Sequence, residues 1–156
     1  MPFSATGSCT CGQVRYRLAR TPLIVHCCHC HWCQRETGSA FVVNAMIETA
    51  YLERSSGAAQ LVATPSNSGR GQQIARCPTC QVALWSHYAG MGQRVSFVRV
   101  GTLDRPDLLP PDVHIYTESK LPWVIIPQGA KAYPQYYDRK VVWSEASLQR
   151  RLALIG

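Results

Sequence analysis

Eight cysteines in three tight groups constrain this 156-residue chain more than any other feature of its sequence. The first group is Cys9 and Cys11, the last is Cys77 and Cys80, and the middle group lies in residues 27–33 (CCHCHWC). A two-residue gap lets two thiolates reach one tetrahedral metal ion from a single turn, with Zn–S distances of about 2.3 Å. The single-residue gap of the first group still allows two ligands from a bent strand end. We therefore predict that the first and last groups together close a four-thiolate metal site.

The middle group offers three thiolates to a second metal ion and leaves one ligand position to spare. Adjacent residues of an extended chain point their side chains apart, so Cys27 and Cys28 cannot both bind one ion comfortably. Either of them can join Cys30 and Cys33 in a three-thiolate set. A histidine could instead complete a closed site, and the candidates are His26, His29 and His31. One closed and one open site suggest a structural metal beside a functional one.

A disulfide framework is the alternative use of so many cysteines. Residues 1–20 contain no apolar signal-peptide core, and no run approaches the ~18 apolar residues of a membrane span. We therefore expect a cytoplasmic protein without a membrane segment, in which clustered cysteines usually bind metal or catalyse. Soft thiolate ligands favour zinc, and an iron–sulfur cluster is the minor alternative.

The formal charge of +7 rests on 13 arginines and 3 lysines against 9 acidic residues. The arginines are scattered from Arg15 to Arg151, and no run of about five like charges marks a nucleic-acid-binding arm. A diffuse positive field favours anionic ligands in general, from nucleic acid to a small carboxylate-bearing thiol. The scattered distribution of the charge therefore argues against a dedicated nucleic-acid partner. A role in keeping the protein soluble explains the net positive charge as well as an anionic ligand does.

Alternation of apolar and polar residues predicts a mainly β protein with few helices. The strand candidates are residues 13–18, 40–47, 60–63, 72–76, 82–86, 94–100 and 113–117. Residues 30–37 predict a short helix that Gly38 ends, and residues 145–152 predict another that Ser144 caps.

The last third of the chain is rich in proline, which predicts loops rather than strands. Trp123 and residues 124–126 (VII) are apolar, which implies that this region still packs on the body of the protein. We predict a single domain, residues 1–156, that a metal ion cross-links between its N-terminal and middle parts.

Several stretches together form a recognisable pattern, and they are residues 7–16 (GSCTCGQVRY), 28–35 (CHCHWCQR), 37–41 (TGSAF), 77–80 (CPTC), 101–106 (GTLDRP), 114–115 (HI) and 122–123 (PW). In this order they resemble the glutathione-dependent formaldehyde-activating enzyme (Gfa) family, also called centromere-protein-V-like. The resemblance covers about residues 7–123, and the chain beyond adds nothing to it.

The resemblance implies the family's compact mainly β fold, sometimes called a β-tent, with two zinc ions per chain. Its structural zinc maps onto the four cysteines Cys9, Cys11, Cys77 and Cys80. Its second zinc maps onto Cys28, Cys30 and Cys33, which leaves Cys27 as an extra thiol. We expect this second zinc to be the more labile, because one of its ligand positions is exchangeable.

The family name implies that formaldehyde and glutathione condense to S-hydroxymethylglutathione, a carbon–sulfur lyase or synthase reaction. Three thiolates give a zinc centre a formal charge of −1 (2 minus 3), which suits it poorly for hydrolysis. Such a centre readily accepts a further thiolate and lowers the pKa of the bound thiol. We hypothesise that Cys28, Cys30 and Cys33 are the catalytic set, with glutathione sulfur at the open position beside a small aldehyde.

Two other functions compete with this hypothesis. One is a non-catalytic zinc module that binds or carries a thiol, a protein or a nucleic acid. The other is reductive chemistry at Cys27, which lacks a separate resolving thiol once seven cysteines bind metal.

His114 is either a proton shuttle or a buried histidine bonded to backbone, and Trp123 either lines a pocket or belongs to the core. His87 and Arg99 carry no functional signal in the sequence.

Overall fold

The computed structural model describes residues 2–156 and shows a mainly β architecture with two sheets and short helices, as the sequence predicts. The strands are β1 (Ala5–Ser8), β2 (Arg15–Leu18), β3 (Ile24–Cys28), β4 (Val42–Glu48), β5 (Leu52–Ser56), β6 (Gln60–Thr64), β7 (Gln72–Arg76), β8 (Ala83–Tyr88), β9 (Val95–Arg99) and β10 (Val113–Ile115). The α-helices are α1 (His31–Thr37), α2 (Arg139–Val142) and α3 (Glu145–Ile155). Single 3₁₀ turns at Thr49–Tyr51, Gly92–Arg94, Val100–Thr102, Pro106–Leu108 and Thr117–Ser119 complete the described elements.

The larger sheet has seven strands in the order β10-β3-β4-β9-β8-β7-β6. Neighbouring strands are antiparallel, except that β10 runs parallel to β3. Every residue of β3 is buried, and β4 is buried along nearly its whole length. The apolar run at 40–47 predicts β4 correctly, whereas β3 was missed because His26, Cys27 and Cys28 interrupt its apolar signal.

The smaller sheet has the order β1-β2-β5 and holds the first cysteine group at its edge. Tyr16 of β2 is fully buried, and its hydroxyl lies 2.6 Å from Thr102 Oγ1. A Cβ atom at Gly7 would lie 2.5 Å from the Tyr16 ring, so only glycine fits in β1 at this point. This close approach fixes the end of β1, from which the chain turns into Cys9 and Cys11.

Two hydrophobic clusters form the core, and each contains one of the cysteine groups. The first cluster includes Cys9 and Cys77 together with the side chains between the two sheets. The second includes Cys28 and Cys30 and reaches the C-terminal residues Tyr137 and Trp143. The two candidate metal sites therefore lie in different parts of the core.

The C-terminal region packs on the body, but through other residues than those the sequence suggests. Trp123 is 72% exposed and Ile125 is 88% exposed, so the prediction that they pack is wrong. Helix α3 instead docks through Ser147, whose hydroxyl donates to the Leu23 carbonyl at 2.7 Å. Arg150 adds a two-pronged ion pair with Glu48, with N–O distances of 2.8 and 2.5 Å. Among residues 2–156, no helix has the length and apolar character that crossing a membrane requires.

Candidate metal centres and cavity

The turn after β1 and the turn between β7 and β8 bring together Cys9, Cys11, Cys77 and Cys80, and their Sγ atoms all lie within 4.8 Å of one another. The Sγ atom of Cys11 lies 3.6 Å from that of Cys9 and 3.7 Å from that of Cys77. Four sulfurs at about 2.3 Å from one zinc ion would be roughly 3.8 Å apart at the corners of a tetrahedron. This spacing and the soft donor set fit a zinc ion, and none of the eight cysteines forms a disulfide.

Backbone N–H groups point at these sulfurs and favour their thiolate form. Val14 N–H donates to Cys9 Sγ at 3.3 Å, and the N–H groups of Thr79 and Cys80 donate to Cys77 Sγ at 3.4 and 3.5 Å. Backbone hydrogen bonds from Cys11 and Val82 lower the pKa of Cys80 to about 6.

The neighbouring sulfurs have the opposite effect at Cys11. The pKa of this thiol is raised to about 11 although the backbone of Gln13 donates to it, because burial and the other three sulfurs outweigh that hydrogen bond. A cation placed among the four sulfurs removes this repulsion.

Cys28, Cys30 and Cys33 form the second group, also with Sγ atoms within 4.8 Å of one another. Cys28 ends β3, and Cys30 is the N-cap of α1, where its sulfur accepts from Cys33 N–H at 3.3 Å. The αL conformation of Gly38 (φ 65°) ends the helix, as predicted. The strand end and the first helical turn therefore aim three sulfurs at one point.

These three thiols share their protons unequally. Hydrogen bonds from Cys28 and Cys33 lower the pKa of Cys30 to about 3. The hydrogen bond with Cys30 raises the pKa of Cys28 to about 12, and the hydrogen bonds with Cys28 and Cys30 raise that of Cys33 strongly. Without a cation the group therefore holds about one negative charge, and a divalent ion is what allows all three thiols to ionise. The donor set and this charge pattern both fit a bound metal ion.

Cys27 lies apart from both groups, in contact with two histidines. Its Sγ is 3.5 Å from His29 Nε2, which is 2.9 Å from His114 Nδ1. Two nitrogens on one tetrahedral zinc would be roughly 3.3 Å apart, so 2.9 Å is better explained by a hydrogen bond.

Burial favours the neutral forms of these three contacting side chains. It raises the pKa of Cys27 to about 12 and lowers that of His29 to about 4, with a further contribution from His114. The sequence left two roles open for His114, a proton shuttle or a buried histidine bonded to backbone, and the second does not describe its Nδ1, which contacts His29.

A cavity of about 260 Å³ adjoins the three-cysteine group and is lined by Cys28, Cys30 and Cys33 themselves. An open groove of about 740 Å³ continues it outward. The cavity and the groove share five wall residues, which are Trp32, Ser66, Asn67, Gln72 and Tyr88. None of the four cysteines of the first group lines either space. The second group thus faces a ligand-sized opening, whereas the first adjoins neither of the two spaces.

Sequence reasoning missed most residues of the cavity wall and named His26 only as a possible metal ligand, whereas the structure places it in the wall and outside the group of Cys28, Cys30 and Cys33. His26 lies two residues before Cys28 on β3, and the two-residue period of a strand could have placed both on one face. Arg99 and Tyr88 face the cavity because β9 pairs with β4 and β8 pairs with β9, which only the sheet order reveals. Tyr136 comes from the C-terminal region, and its ring stacks on that of Tyr137 at 4.4 Å. Trp123 lines neither space.

Comparison with known proteins supports one family. A family model described as glutathione-dependent formaldehyde-activating enzyme matches residues 4–119, which is most of the chain. The crystal structure of a Rhodobacter sphaeroides protein, from a structural genomics programme, is similar at 21% identity and a TM-score of 0.49. That match covers 68% of this chain and 96% of the other. The comparison with curated proteins gave no match.

Proposed function

The chain belongs to the glutathione-dependent formaldehyde-activating enzyme family, and on that premise we propose that it joins glutathione and a small aldehyde at the three-cysteine group. The proposed reaction is that of a carbon–sulfur lyase or synthase, with formaldehyde as the simplest substrate and S-hydroxymethylglutathione as the product. One observation carries the proposal. Cys28, Cys30 and Cys33 line a cavity that opens to a groove, so a thiol from outside can reach them.

We propose two zinc ions per chain, one in each cysteine group. Cys9, Cys11, Cys77 and Cys80 would hold the structural ion, and Cys28, Cys30 and Cys33 would hold the second. When bound there, zinc supplies a ligand position for soft sulfur and lowers the pKa of the thiol that occupies it.

The shape of the two spaces supports a long thiol with a small co-substrate. A cavity of about 260 Å³ is smaller than the roughly 300–1,000 Å³ of most ligand pockets, so it suits a thiol end and a one- or two-carbon aldehyde. The groove beyond it has room for the part of a tripeptide that the cavity does not hold. Phe97, Ile115 and Tyr88 give the cavity apolar walls that exclude water from the reacting atoms.

The bond changes of this reaction balance without any other reactant. The glutathione sulfur bonds to the carbonyl carbon, the π pair of the carbonyl moves to its oxygen, and the proton lost by the thiol ends on that oxygen. The product is the sum of the two reactants. Because thiols and formaldehyde combine readily in water, the contribution of these residues is mainly to hold both partners in reacting geometry.

A non-catalytic carrier is the second candidate, and one observation favours it. His26 faces the cavity, but burial lowers its pKa to about 4, so it stays neutral near pH 7. Its Nε2 is also engaged with the Tyr137 hydroxyl at 2.5 Å. This histidine is therefore poorly suited to exchange a proton with the substrate, and a protein that binds the adduct without speeding its formation is consistent with that.

Native mass spectrometry with an exchange measurement separates the candidates. We expect anaerobically purified protein to carry two zinc ions and to bind one glutathione, and we expect NMR exchange spectroscopy to show faster adduct formation with protein than without. Cys30→Ser should lose glutathione and the acceleration, whereas Cys27→Ser should keep both. Binding without acceleration would support the carrier. A protein with both zinc ions that binds no glutathione would overturn both candidates.

A further inference from the structure

Arg99 is a buried cation in the wall of the inner cavity. It ends β9, directly opposite Asn44 of β4, and is only 7% exposed. Its Nη1 lies 3.5 Å from Asn44 Oδ1, which is the long limit of a hydrogen bond, and its Nε is buried with no partner. A buried guanidinium normally has acceptors for its N–H groups, because leaving them unmet is unfavourable.

No carboxylate of residues 2–156 pairs with Arg99. The ion pairs of the described chain use other arginines, namely Arg17, Arg76, Arg105 and Arg150. Glu36 also lines the cavity, but its carboxylate is already paired with Arg76. The charge of Arg99 is therefore not matched by a neighbouring acid.

The cysteine group does not replace a carboxylate as the partner of Arg99. Its thiolates share the cavity and offset the positive charge in part, but sulfur is a weak hydrogen-bond acceptor. Among residues 2–156, no hydrogen bond joins Arg99 to any cysteine sulfur. The planar guanidinium fork suits two oxygens held side by side, which is the geometry of a carboxylate.

We propose that Arg99 binds a carboxylate of the ligand that occupies the inner cavity. This inference rests on the proposed function, since it assumes that the ligand's sulfur or aldehyde carbon is at the three cysteines. Two ligands could bring such a group into the cavity. One is glutathione itself, through one of its own carboxylates, and the other is an aldehyde that carries a carboxylate, such as a two-carbon oxo acid.

The first possible source of the carboxylate, glutathione itself, is tested by measuring how charged and esterified glutathione bind to the zinc-loaded full chain. We expect Arg99→Gln to weaken glutathione at least about tenfold by calorimetry, because one charge-assisted contact is lost. Glutathione with both carboxylates esterified should bind wild type and variant equally. Arg54→Gln is the matched control, since Arg54 is exposed on β5 of the smaller sheet and its loss changes the net charge equally.

The second source is tested with esterified glutathione and two aldehydes, glyoxylate and formaldehyde. If the aldehyde brings the carboxylate, Arg99→Gln weakens retention of the glyoxylate adduct at least about tenfold and leaves the formaldehyde adduct unchanged. Either selective loss supports the assignment of Arg99 and identifies the source.

Equal effects of Arg99→Gln on charged and uncharged ligands, or no effect on any, would overturn the inference while the proposed function stands. A wild-type protein that binds none of these ligands would overturn both. Zinc content and thermal unfolding check that the variant folds. Should it not fold, Arg99→Lys decides the matter, since it keeps the charge without the fork and must still weaken carboxylate ligands selectively.

Discussion

The two cysteine groups offer the same kind of ligand atom, a thiol sulfur, but they differ in the number of ligands, in their span along the sequence and in the space beside them. The four-cysteine group joins the turn after β1 to the turn between β7 and β8, with Cys77 lying 66 positions after Cys11, and it lines neither the cavity nor the groove. The three-cysteine group lies within residues 28–33 and forms one side of a cavity. The first can cross-link distant parts of the chain, whereas the second is local and open. Under the proposed function, ligand count and the surrounding space, rather than ligand type, distinguish the structural site from the reactive one.

From the chain connectivity, we expect a metal ion in the first group to contribute more to stability than one in the second. A metal that closes a long loop restricts the unfolded chain more than one that closes a short loop. Metal binding at a structural site of this kind is also part of the folding free energy itself. We expect the energetic consequences of losing each site to differ accordingly.

The largest effect should follow loss of a thiol from the four-cysteine group. We expect Cys77→Ser to unfold most of the protein at 25 °C, because structural zinc in small domains contributes about 10 kcal/mol or more, against a net stability of about 5–15 kcal/mol. Circular dichroism and zinc analysis measure this. Thr79→Ser, in the same turn, is the control and should fold normally with two zinc ions.

Loss of a thiol from the three-cysteine group should leave the protein folded. We expect Cys30→Ser to carry one zinc ion and to bind no glutathione, while its midpoint of thermal unfolding falls by only about 2–8 °C, in line with the usual cost of about 1–2 kcal/mol for a core substitution. Unfolding as extensive as in Cys77→Ser would erase the distinction between the two sites.

The two sites should also differ in their response to acid. The raised pKa values of Cys28 and Cys33 mean that metal binding must displace protons from both thiols near pH 7. In the four-cysteine group the pKa of Cys11 is raised to about 11, but that of Cys9 is lowered and that of Cys80 is lowered to about 6, so a smaller share of its thiols must lose a proton when metal binds.

Each displaced proton weakens the apparent affinity for metal by about tenfold per pH unit of acidification. As the pH falls from 7 to 5, we therefore expect the three-cysteine group to release its metal first. Native mass spectra at a series of pH values would show a one-zinc species before the apoprotein. Simultaneous loss of both ions would contradict the comparison.

The smallest effect should follow substitution of Cys27. We expect Cys27→Ala to keep two zinc ions and glutathione binding, because its sulfur contacts His29 rather than either cysteine group. Stability should fall by about 1 kcal/mol for the loss of a buried sulfur. A one-zinc Cys27→Ala protein would mean that Cys27, and not Cys28, is the third ligand of the open site.

Much of this architecture could be predicted from local patterns. The alternation at 94–100 gives β9, the run at 72–76 gives β7, and Ser144 and Gly38 mark helix ends where the structure has them. These signals succeed because each depends on residues only a few positions apart. The mainly β class follows from the same signals.

Other features depend on neighbours that are distant in sequence and escaped prediction. Strand β3 is hard to recognise in the sequence because polar His26 and two cysteines weaken its apolar pattern, yet it is buried between β10 and β4. Trp123 has a large apolar side chain of the kind usually found in a core, but the chain around it lies at the surface. Tyr137 and Trp143 fill the second core cluster instead.

The sequence by itself determined the metal-binding chemistry, because the number and spacing of the cysteines limit which thiolates can share an ion. The tertiary structure decided what surrounds each group. Strand pairing sends Cys27 and Cys28 to opposite faces of β3, so that one meets His29 and the other meets the cavity. Sheet order brings Arg99 into that cavity from 66 residues beyond Cys33. The spacing of the cysteines depends only on residues that are close together in the sequence. A cavity wall, in contrast, is assembled from strands that meet only when the whole sheet forms.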